Sequence, residues 1–210
     1  MRTTATKLER SRRHWDRHSR TYDRQMGRLE RRFFGDTRQW LCGRAEGEVL
    51  EVAIGTGLNL ERYPAGTRLT GVDLSPAMLE QARRRSERTG RAVELGVADA
   101  QRLAFPDASF DTVVCTFSLC AVPEVRTVLS EMDRVLRPGG LLLLADHVVS
   151  TSRPVRVVQR LLELVTVPQA GEHFRRRPLE QVRAAGFGLE LHERFKLGIV
   201  ERVVARKPTG

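Results

Sequence analysis

The 210 residues, 40% hydrophobic and 30% charged, have the balance of one globular domain with a substantial core. No apolar run reaches the roughly 20 residues of a membrane-spanning helix, and the amino terminus lacks the apolar stretch of a secretory signal. Both features predict a cytoplasmic protein. Cys42, Cys115 and Cys120 lack paired metal-type spacing, so we expect a reducing compartment in which they pack as small core residues.

The net charge of +10 is distributed unevenly along the chain. Residues 1–45 contain 13 Lys or Arg against 5 Asp or Glu, residues 46–150 contain 11 against 15, and residues 151–210 contain 12 against 6. The basic flanks make an anionic substrate, an anionic membrane surface and nucleic acid candidate partners. A solvated arginine-rich surface explains the same charge, so composition alone does not choose between them.

Residues 1–45 are predicted to be helical. Apolar side chains recur there at helical spacing: Leu8, Trp15, Tyr22, Met26, Leu29, Phe33, Phe34, Trp40 and Leu41. This pattern indicates one or two amphipathic helices, which could cover a pocket as a lid. His14 and His18 share a helical face, but they have neither the glutamate of a zincin nor a third ligand, so no metal site is predicted.

The first predicted strand runs directly into a Gly-x-Gly turn. Residues 49–54 read Val-Leu-Glu-Val-Ala-Ile, an apolar run typical of a parallel strand buried on both faces. Gly55 and Gly57 follow, and glycine lets a ligand approach the backbone with no Cβ in the way. An ordinary strand-to-helix turn has the same pattern, so the residues that follow must show whether this turn is a ligand site.

Carboxylates stand at the ends of three successive predicted strands. Glu51 lies at the end of the first strand, Asp73 ends the strand at residues 68–72, and Asp99 follows a strand near residues 92–97. An acidic residue about 20 positions after the glycine-rich strand grips the ribose hydroxyls in dinucleotide-binding folds. Asp99 is placed to accept a hydrogen bond from an exocyclic amine. Ser75 and Pro76 begin a helix.

Two ligands fit this arrangement of a glycine-rich turn and three strand-end carboxylates, a nicotinamide dinucleotide and S-adenosylmethionine. A dinucleotide site needs a third glycine where the helix clears the pyrophosphate, and Leu60 occupies that position. No arginine follows Asp73 to receive a 2′-phosphate. The excess of carboxylates suits a cationic sulfonium, so the residues favour S-adenosylmethionine.

The rest of the chain completes an α/β pattern. A fourth strand begins at residue 110 and ends near residues 115–117, a helix covers 124–136, and a Pro-Gly-Gly turn at 138–140 precedes a fifth strand over 141–145. Helices follow at 155–167, where one side is strongly apolar, and at 179–185. The runs at 189–195 and 199–205 predict an antiparallel hairpin at the sheet edge. His147 and His173, in the fifth-strand end and the later loop, are candidate general bases.

Five motifs, in order, resemble those of class I S-adenosylmethionine-dependent methyltransferases. They are Glu51-Val-Ala-Ile-Gly55-Thr-Gly57, Gly71-Val-Asp73-Leu-Ser-Pro-Ala-Met78, Ala98-Asp99-Ala100, Phe105-Pro-Asp107-Ala-Ser-Phe110-Asp111 and Leu136-Arg-Pro-Gly139-Gly140. The likeness spans residues 22–147 and is greatest to the ubiquinone/menaquinone-type (type 11) branch. The stretches at 118–123 and 145–148 also look like phospholipid N-methyltransferases and membrane-associated thiol methyltransferases. Ala53 departs from the family's first glycine, and we expect modest crowding there without loss of binding.

This resemblance implies a Rossmann-like, doubly wound, mostly parallel seven-stranded sheet in one domain. Residues 1–45 would form the helical lid, 46–150 the cofactor-binding core, and 151–210 the helices and hairpin that complete it. S-adenosylmethionine would be the cofactor and S-adenosylhomocysteine its product. The implied cofactor-binding residues are Tyr22, Glu51, Ala53, Gly55, Gly57, Asp73, Leu74, Asp99, Ala100 and Thr116, with no metal.

The predicted function is methyl transfer to a small-molecule or lipid acceptor, in the cytoplasm or at a membrane periphery. The acceptor atom and the oligomeric state are left open. A nucleic-acid methyltransferase is disfavoured because Thr116-Phe117-Ser118-Leu119 stands where an Asn/Asp-Pro-Pro-Tyr motif would follow the fourth strand. A non-catalytic S-adenosylmethionine-binding protein is the third alternative.

Overall fold

A computed structural model describes residues 4–209 of the chain, with side chains from residue 7. The helices are α1 (Thr4–Leu29), α2 (Thr37–Cys42), α3 (Pro76–Thr89), α4 (Val125–Val135), α5 (Arg153–Ala170) and α6 (Pro178–Ala184). The strands are β1 (Glu48–Val52), β2 (Arg68–Asp73), β3 (Glu94–Val97), β4 (Phe110–Thr116), β5 (Leu136–His147), β6 (Gly188–Phe195) and β7 (Val200–Arg206). A π-helical turn (Glu30–Phe34) and a 3-10 turn (Leu60–Arg62) complete the set.

The seven strands form one sheet in the order β3-β2-β1-β4-β5-β7-β6. Strands β1 to β5 pair in parallel, and β7 pairs antiparallel with both β5 and β6. The predicted mostly parallel sheet with a carboxyl-terminal hairpin is therefore confirmed. The strand order reverses between β1 and β4, which is where ligands bind in open α/β sheets.

Strand β5 begins earlier than the sequence predicts. Leu136 already pairs with Phe110, and the register then shifts so that Leu141 pairs with Thr112. The Pro-Gly-Gly segment lies within this irregular strand instead of forming a separate turn, because Gly139 and Gly140 exchange backbone hydrogen bonds with Lys207. The prediction of a turn before residue 141 was wrong in this respect.

Apolar side chains of the central strands alternate between two buried layers. Leu50, Val113 and Leu142 face the layer that includes α4, while Val49 and Leu143 face the layer that includes α2. Near-continuous apolar strands are the expected consequence of a parallel sheet covered on both faces. The three cysteines are buried and unpaired, as predicted.

Among residues 4–209, no helix combines the length and apolarity that crossing a bilayer requires.

Candidate cofactor site

A cleft of about 780 Å³ opens at the carboxyl ends of β1, β2 and β4 and is covered by α1. Of the ten predicted cofactor-binding residues, seven line this cleft. These are Tyr22, Ala53, Gly55, Asp73, Leu74, Asp99 and Ala100. The carboxyl ends of parallel strands meet at one edge of a sheet, and this edge brings together the six residues between Ala53 and Ala100, while Tyr22 comes from α1.

The Gly-x-Gly turn reverses the chain through three residues with positive φ. Ala53 has φ 56°, Gly55 has φ 59° and Gly57 has φ 77°. A Cβ at Gly55 would meet no protein atom within 4 Å, whereas one at Gly57 would lie 2.9 Å from Leu60 Cδ1. Gly55 therefore presents bare backbone to the cleft. Gly57 lies outside the cleft lining and permits close packing of the turn on Leu60 and α3.

Asp73 links the turn to the start of α3. Its Oδ2 accepts a hydrogen bond from Gly55 N at 2.9 Å, and its Oδ1 accepts one from Ser75 N at 2.8 Å. Burial raises the pKa of Asp73 to about 6, against the lowering effect of these two hydrogen bonds. Each carboxylate oxygen has a second lone pair, so Asp73 can still accept hydrogen bonds from a ligand in the cleft.

Asp99 lies on the cleft wall at the end of β3. Its Oδ1 accepts a hydrogen bond from Gln101 N at 2.9 Å, and both its oxygens lie 3.2 Å from Gln101 Nε2. Apolar side chains including Leu74, Met78 and Ala100 line the same part of the cleft. A carboxylate beside an apolar slot suits a flat aromatic base that carries an exocyclic amine.

Glu51 and Thr116 lie beneath the cleft and not on its surface. Glu51 is 3% exposed, and its carboxylate accepts hydrogen bonds from Asn59 Nδ2 at 2.7 Å and Tyr63 Oη at 2.8 Å. Burial raises the pKa of Glu51 to about 7. Thr116 Oγ1 accepts from Asn59 Nδ2 at 3.0 Å. These contacts fit a role for Glu51 in orienting the turn rather than in touching the ligand directly.

Arg38 joins this buried network, although no sequence motif points to it. Its Nη1 donates to Asn59 Oδ1 and to Thr116 Oγ1, both at 2.9 Å. It also pairs with Glu30 and lies over the ring of Phe117. One arginine among many in a basic segment gives no sequence signal of burial.

Two aspartates of α1 hold that helix across the cleft through contacts that no sequence motif indicates. Asp16 Oδ1 accepts from Ser75 Oγ at 2.6 Å and from Ala77 N at 3.3 Å. Asp23 Oδ1 accepts from Thr56 Oγ1 at 2.5 Å, and Asp23 also pairs with Arg85. The helix is thus fixed at two points, one near the start of α3 and one on the Gly-x-Gly turn.

Between these contacts, α1 presents aromatic side chains to the cleft. Trp15 and Tyr22 both line it, and their ring centroids lie 6.1 Å apart in an edge-to-face arrangement. Burial raises the pKa of Tyr22 to about 12, so its hydroxyl stays protonated. Phe117 also lines the cleft. Its φ of 52° is a genuine outlier for a bulky residue, and such conformations cluster at functional sites.

The candidate bases lie beyond the cleft lining, next to its Ser118 to Pro123 wall. Asp146 accepts hydrogen bonds from Cys120 N at 3.1 Å and His147 N at 2.7 Å, and His147 Nδ1 lies 3.4 Å from Asp146 Oδ1. His173 N donates to Cys120 O at 2.9 Å.

The side chains of Cys120, Asp146 and His147 are close enough to share a metal ion. Burial raises the pKa of the Cys120 thiol well above its ordinary value, which disfavours the thiolate that a metal would need. The pair His14 and His18 stacks ring on ring with centroids 4.1 Å apart, and His18 Nδ1 is hydrogen-bonded to the His14 carbonyl.

Fold and cleft together define a Rossmann-like protein whose cleft lies at the topological switch point of its sheet. A methyltransferase-domain family matches residues 50–144 of the chain, which include β2, β3 and β4 and most of β1 and β5.

Three relatives extend this match. A phosphatidylethanolamine N-methyltransferase of Cereibacter sphaeroides is 43% identical over 55% of the chain and 58% of its own length. The human thiol S-methyltransferase TMT1B is 37% identical over 60% of the chain and 53% of its own length. A demethylmenaquinone methyltransferase of Clavibacter sepedonicus is 32% identical over 77% of the chain and 74% of its own length. The chain spans little more than half the length of the first two.

Solved structures show the same fold. A Thermotoga maritima S-adenosylmethionine-dependent methyltransferase, described as a possible histamine N-methyltransferase, superposes with a TM-score of 0.69 at 22% identity, covering 93% of this chain and 99% of that one. The chain belongs to the S-adenosylmethionine-dependent methyltransferases, the family that its five motifs predicted. S-adenosylmethionine is the cofactor of this family.

Proposed function

We propose that this protein transfers a methyl group from S-adenosylmethionine to a small-molecule or lipid acceptor by in-line displacement. The observation that carries the proposal is the cleft at the switch point, where Gly55, Asp73 and Asp99 converge from three separate strand ends. The family membership and the relatives' names support the same reaction. No observation among the described residues favours the nucleic-acid or non-catalytic alternative.

The predicted cofactor-binding residues that line the cleft would contact different parts of S-adenosylmethionine along it. Asp73 accepts hydrogen bonds from the ribose hydroxyls, and Asp99 accepts one from the adenine amine. Leu74 and Ala100 flank the adenine, and Gly55 and Ala53 form the backbone wall beside the methionine part. Tyr22 closes the cleft from α1. Glu51, Gly57 and Thr116 support the turn from beneath it.

The cofactor supplies a methyl group on a positively charged sulfur, so its leaving group is already activated. The protein's contribution is to hold the acceptor in line and to exclude water, and positioning of this kind is worth roughly 7 to 11 kcal/mol. Residues 1–45 would provide the cover, because α1 lies across the cleft with Trp15 and Tyr22 facing inward. His147 or His173 would take a proton from an acceptor that must lose one.

We propose the amine headgroup of a phospholipid as the first acceptor to test. The Cereibacter sphaeroides relative acts on phosphatidylethanolamine by its name, and quinone precursors and thiols are the classes named by the other two. The free buried cysteines suit a reducing, cytoplasmic setting.

The cofactor assignment is tested by replacing Asp73 with alanine. Loss of a charge-assisted hydrogen-bond pair costs about 1.5 to 3 kcal/mol, so Asp73→Ala should weaken S-adenosylmethionine binding by roughly 10- to 100-fold in calorimetry. Asp107→Ala is the matched control, because Asp107 is exposed and pairs with Arg134 away from the cleft. Equal affinity of both variants would remove Asp73 from the site.

The reaction is tested by following a labelled methyl group from the cofactor into separate pools of phospholipids, quinone precursors, thiols and nucleic acids. We expect label in the lipid pool, with phosphatidylethanolamine as acceptor. Label in RNA or DNA instead, with binding that weakens steeply as salt rises, would replace the proposal by a nucleic-acid methyltransferase. Cofactor binding without label in any pool would indicate the non-catalytic alternative.

A further inference from the structure

Helix α5 turns its apolar side chains outward and its polar side chains inward. Six apolar residues on this helix are between 48% and 70% exposed: Val157, Val158, Leu161, Leu162, Leu164 and Val165. In contrast, Gln159 and Glu163 on the same helix are only 5% and 9% exposed. Scattered exposed leucines are ordinary, but six on two turns of one helix form a continuous apolar surface, which marks an interaction site.

Hydrogen bonds fix this orientation of α5. Gln159 accepts from Ser150 N at 2.9 Å and donates to the carbonyls of Val148 at 2.8 Å and Phe174 at 3.0 Å. Glu163 accepts from both the backbone N and the Nε of Arg175. Rotating the helix to bury its leucines would leave these polar groups without partners, and each buried unsatisfied group is costly. The apolar face is therefore a stable feature of the fold.

The charges beside this face favour an anionic partner. Arg153 and Arg160 are exposed and, at 100° per residue, lie along one border of the apolar face. The only acidic residue of α5, Glu163, is buried and paired with Arg175. A helix with an apolar face, arginines at its border and no exposed acid has the composition of helices that lie in a membrane interface. A second copy of the chain would offer these arginines no acidic partner on α5.

The loop that follows α5 joins this helix to the wall of the cleft. Helix α5 ends at Ala170, and the loop that follows is bonded to the cleft wall through His173 N and Cys120 O. Ala121, next to Cys120, lines the cleft. We propose that the exposed face of α5 docks on an anionic lipid bilayer and so holds the mouth of the cleft at the lipid surface. This inference rests on the proposed function for its choice of a lipid acceptor, but not for the docking itself.

Flotation with vesicles tests the docking. Vesicles of 30% phosphatidylglycerol and 70% phosphatidylcholine should carry the full chain upward in a density gradient, and pure phosphatidylcholine vesicles should carry at least tenfold less. The double variant Leu161→Glu, Leu164→Glu should lose flotation by at least tenfold. The matched control Leu191→Glu changes an exposed leucine of the edge strand β6 and should float like the wild type.

Other results would overturn the proposal. They are absence of wild-type flotation, equal flotation of the double variant, or a wild-type dimer in light scattering that the double variant converts to a monomer without any effect of vesicles. The last result would assign the face to a second copy of the chain. Retained S-adenosylhomocysteine binding by the double variant shows that it is folded. If the protein transfers labelled methyl groups but does not bind vesicles, the docking proposal is wrong and the proposed function stands. If it binds vesicles but transfers no methyl group to any acceptor, the proposed function is wrong and the docking stands.

Discussion

Ala53 holds a backbone conformation that side chains other than glycine rarely adopt. Its φ is 56°, and the left-handed conformation costs an L-residue roughly 1–2 kcal/mol. The resemblance placed a glycine at this position in the family, and the structure gives the physical reason. The alanine leads the chain from β1 into the turn, where its conformation aims the backbone of Gly55 at the cleft.

We therefore expect Ala53→Gly to stabilise the protein. Relief of the positive φ outweighs the added freedom of glycine in the unfolded chain, leaving a gain of about 0.5–1 kcal/mol. The urea midpoint should rise with an unchanged slope. The matched control is Ala92→Gly at an exposed loop residue whose φ is not positive, and it should lose stability slightly. A loss of stability in Ala53→Gly as large as in the control would contradict the strain argument.

Glu51 makes stability depend on pH. Its folded-state pKa of about 7, raised by burial, lies above the ordinary value of 4.5, so the folded state binds a proton that the unfolded state has released. The contribution of this group to the free energy of unfolding therefore falls by up to about 3 kcal/mol as pH rises from about 4.5 to 7. Above about pH 7 the contribution stays constant.

Replacing Glu51 with glutamine should flatten this part of the stability profile. Urea unfolding of Glu51→Gln and wild type at pH 5, 6, 7 and 8 measures the difference. The same change at exposed Glu94 is the control and should leave the profile as in the wild type. Parallel profiles for Glu51→Gln and wild type would mean that Glu51 is ionised in the folded protein throughout this range.

At the scale of elements, α1 owes its position over the cleft to its two aspartates. Asp23→Asn keeps the side-chain shape but removes the charge that pairs with Arg85. Loss of about 1.5 kcal/mol of charge-assisted hydrogen bonding should weaken S-adenosylhomocysteine binding by roughly tenfold, mainly through faster release. The amides of α1 should also exchange faster with deuterium, while β1 and β4 exchange as before.

Asp36→Asn is the control for this element, because Asp36 is 73% exposed in side-chain area and pairs with Arg202 away from the cleft. It should change neither ligand release nor exchange in α1. Unchanged exchange in Asp23→Asn would mean that α1 is held by its apolar contacts and that Asp23 has no role in covering the cleft.

These elements show which parts of the molecule the sequence could predict. Apolar runs such as residues 49–54 and 110–116 indicate strands buried on both faces, and the hairpin follows from alternating residues around a glycine, so sheet and helices were predictable. The hydrogen bonds that Asp16 and Asp23 make to residues beside the cleft were not predictable, because acidic residues on an amphipathic helix are typical of a solvent-exposed face. The helical periodicity indicated that α5 has an apolar side. It did not indicate that this side faces outward, because the residues of α5 that are buried, Gln159 and Glu163, are polar.

At the scale of the whole molecule, cofactor binding and folding are linked through the switch point. The cleft takes residues from α1, β2, α3, α4 and the loops after β1, β3 and β4, so a ligand there binds only the folded chain. A ligand at 100 times its dissociation constant stabilises the folded state by about 2.7 kcal/mol. For a chain of this size, each kcal/mol raises the melting temperature by roughly 2–4 °C.

S-adenosylhomocysteine at that concentration should therefore raise the melting temperature by roughly 5–11 °C. NAD at the same concentration should give no shift, because Leu60, which packs against Gly57, occupies the position where a dinucleotide fold needs a third glycine for close packing of the helix on the strand. Asp73→Ala should lose most of the shift while keeping a cooperative transition, since its ribose contacts are absent but the strands that build the cleft remain. A shift with NAD as large as that with S-adenosylhomocysteine would show that Leu60 does not exclude a dinucleotide, and the choice between the two ligands would then depend on Asp73 and Asp99 alone.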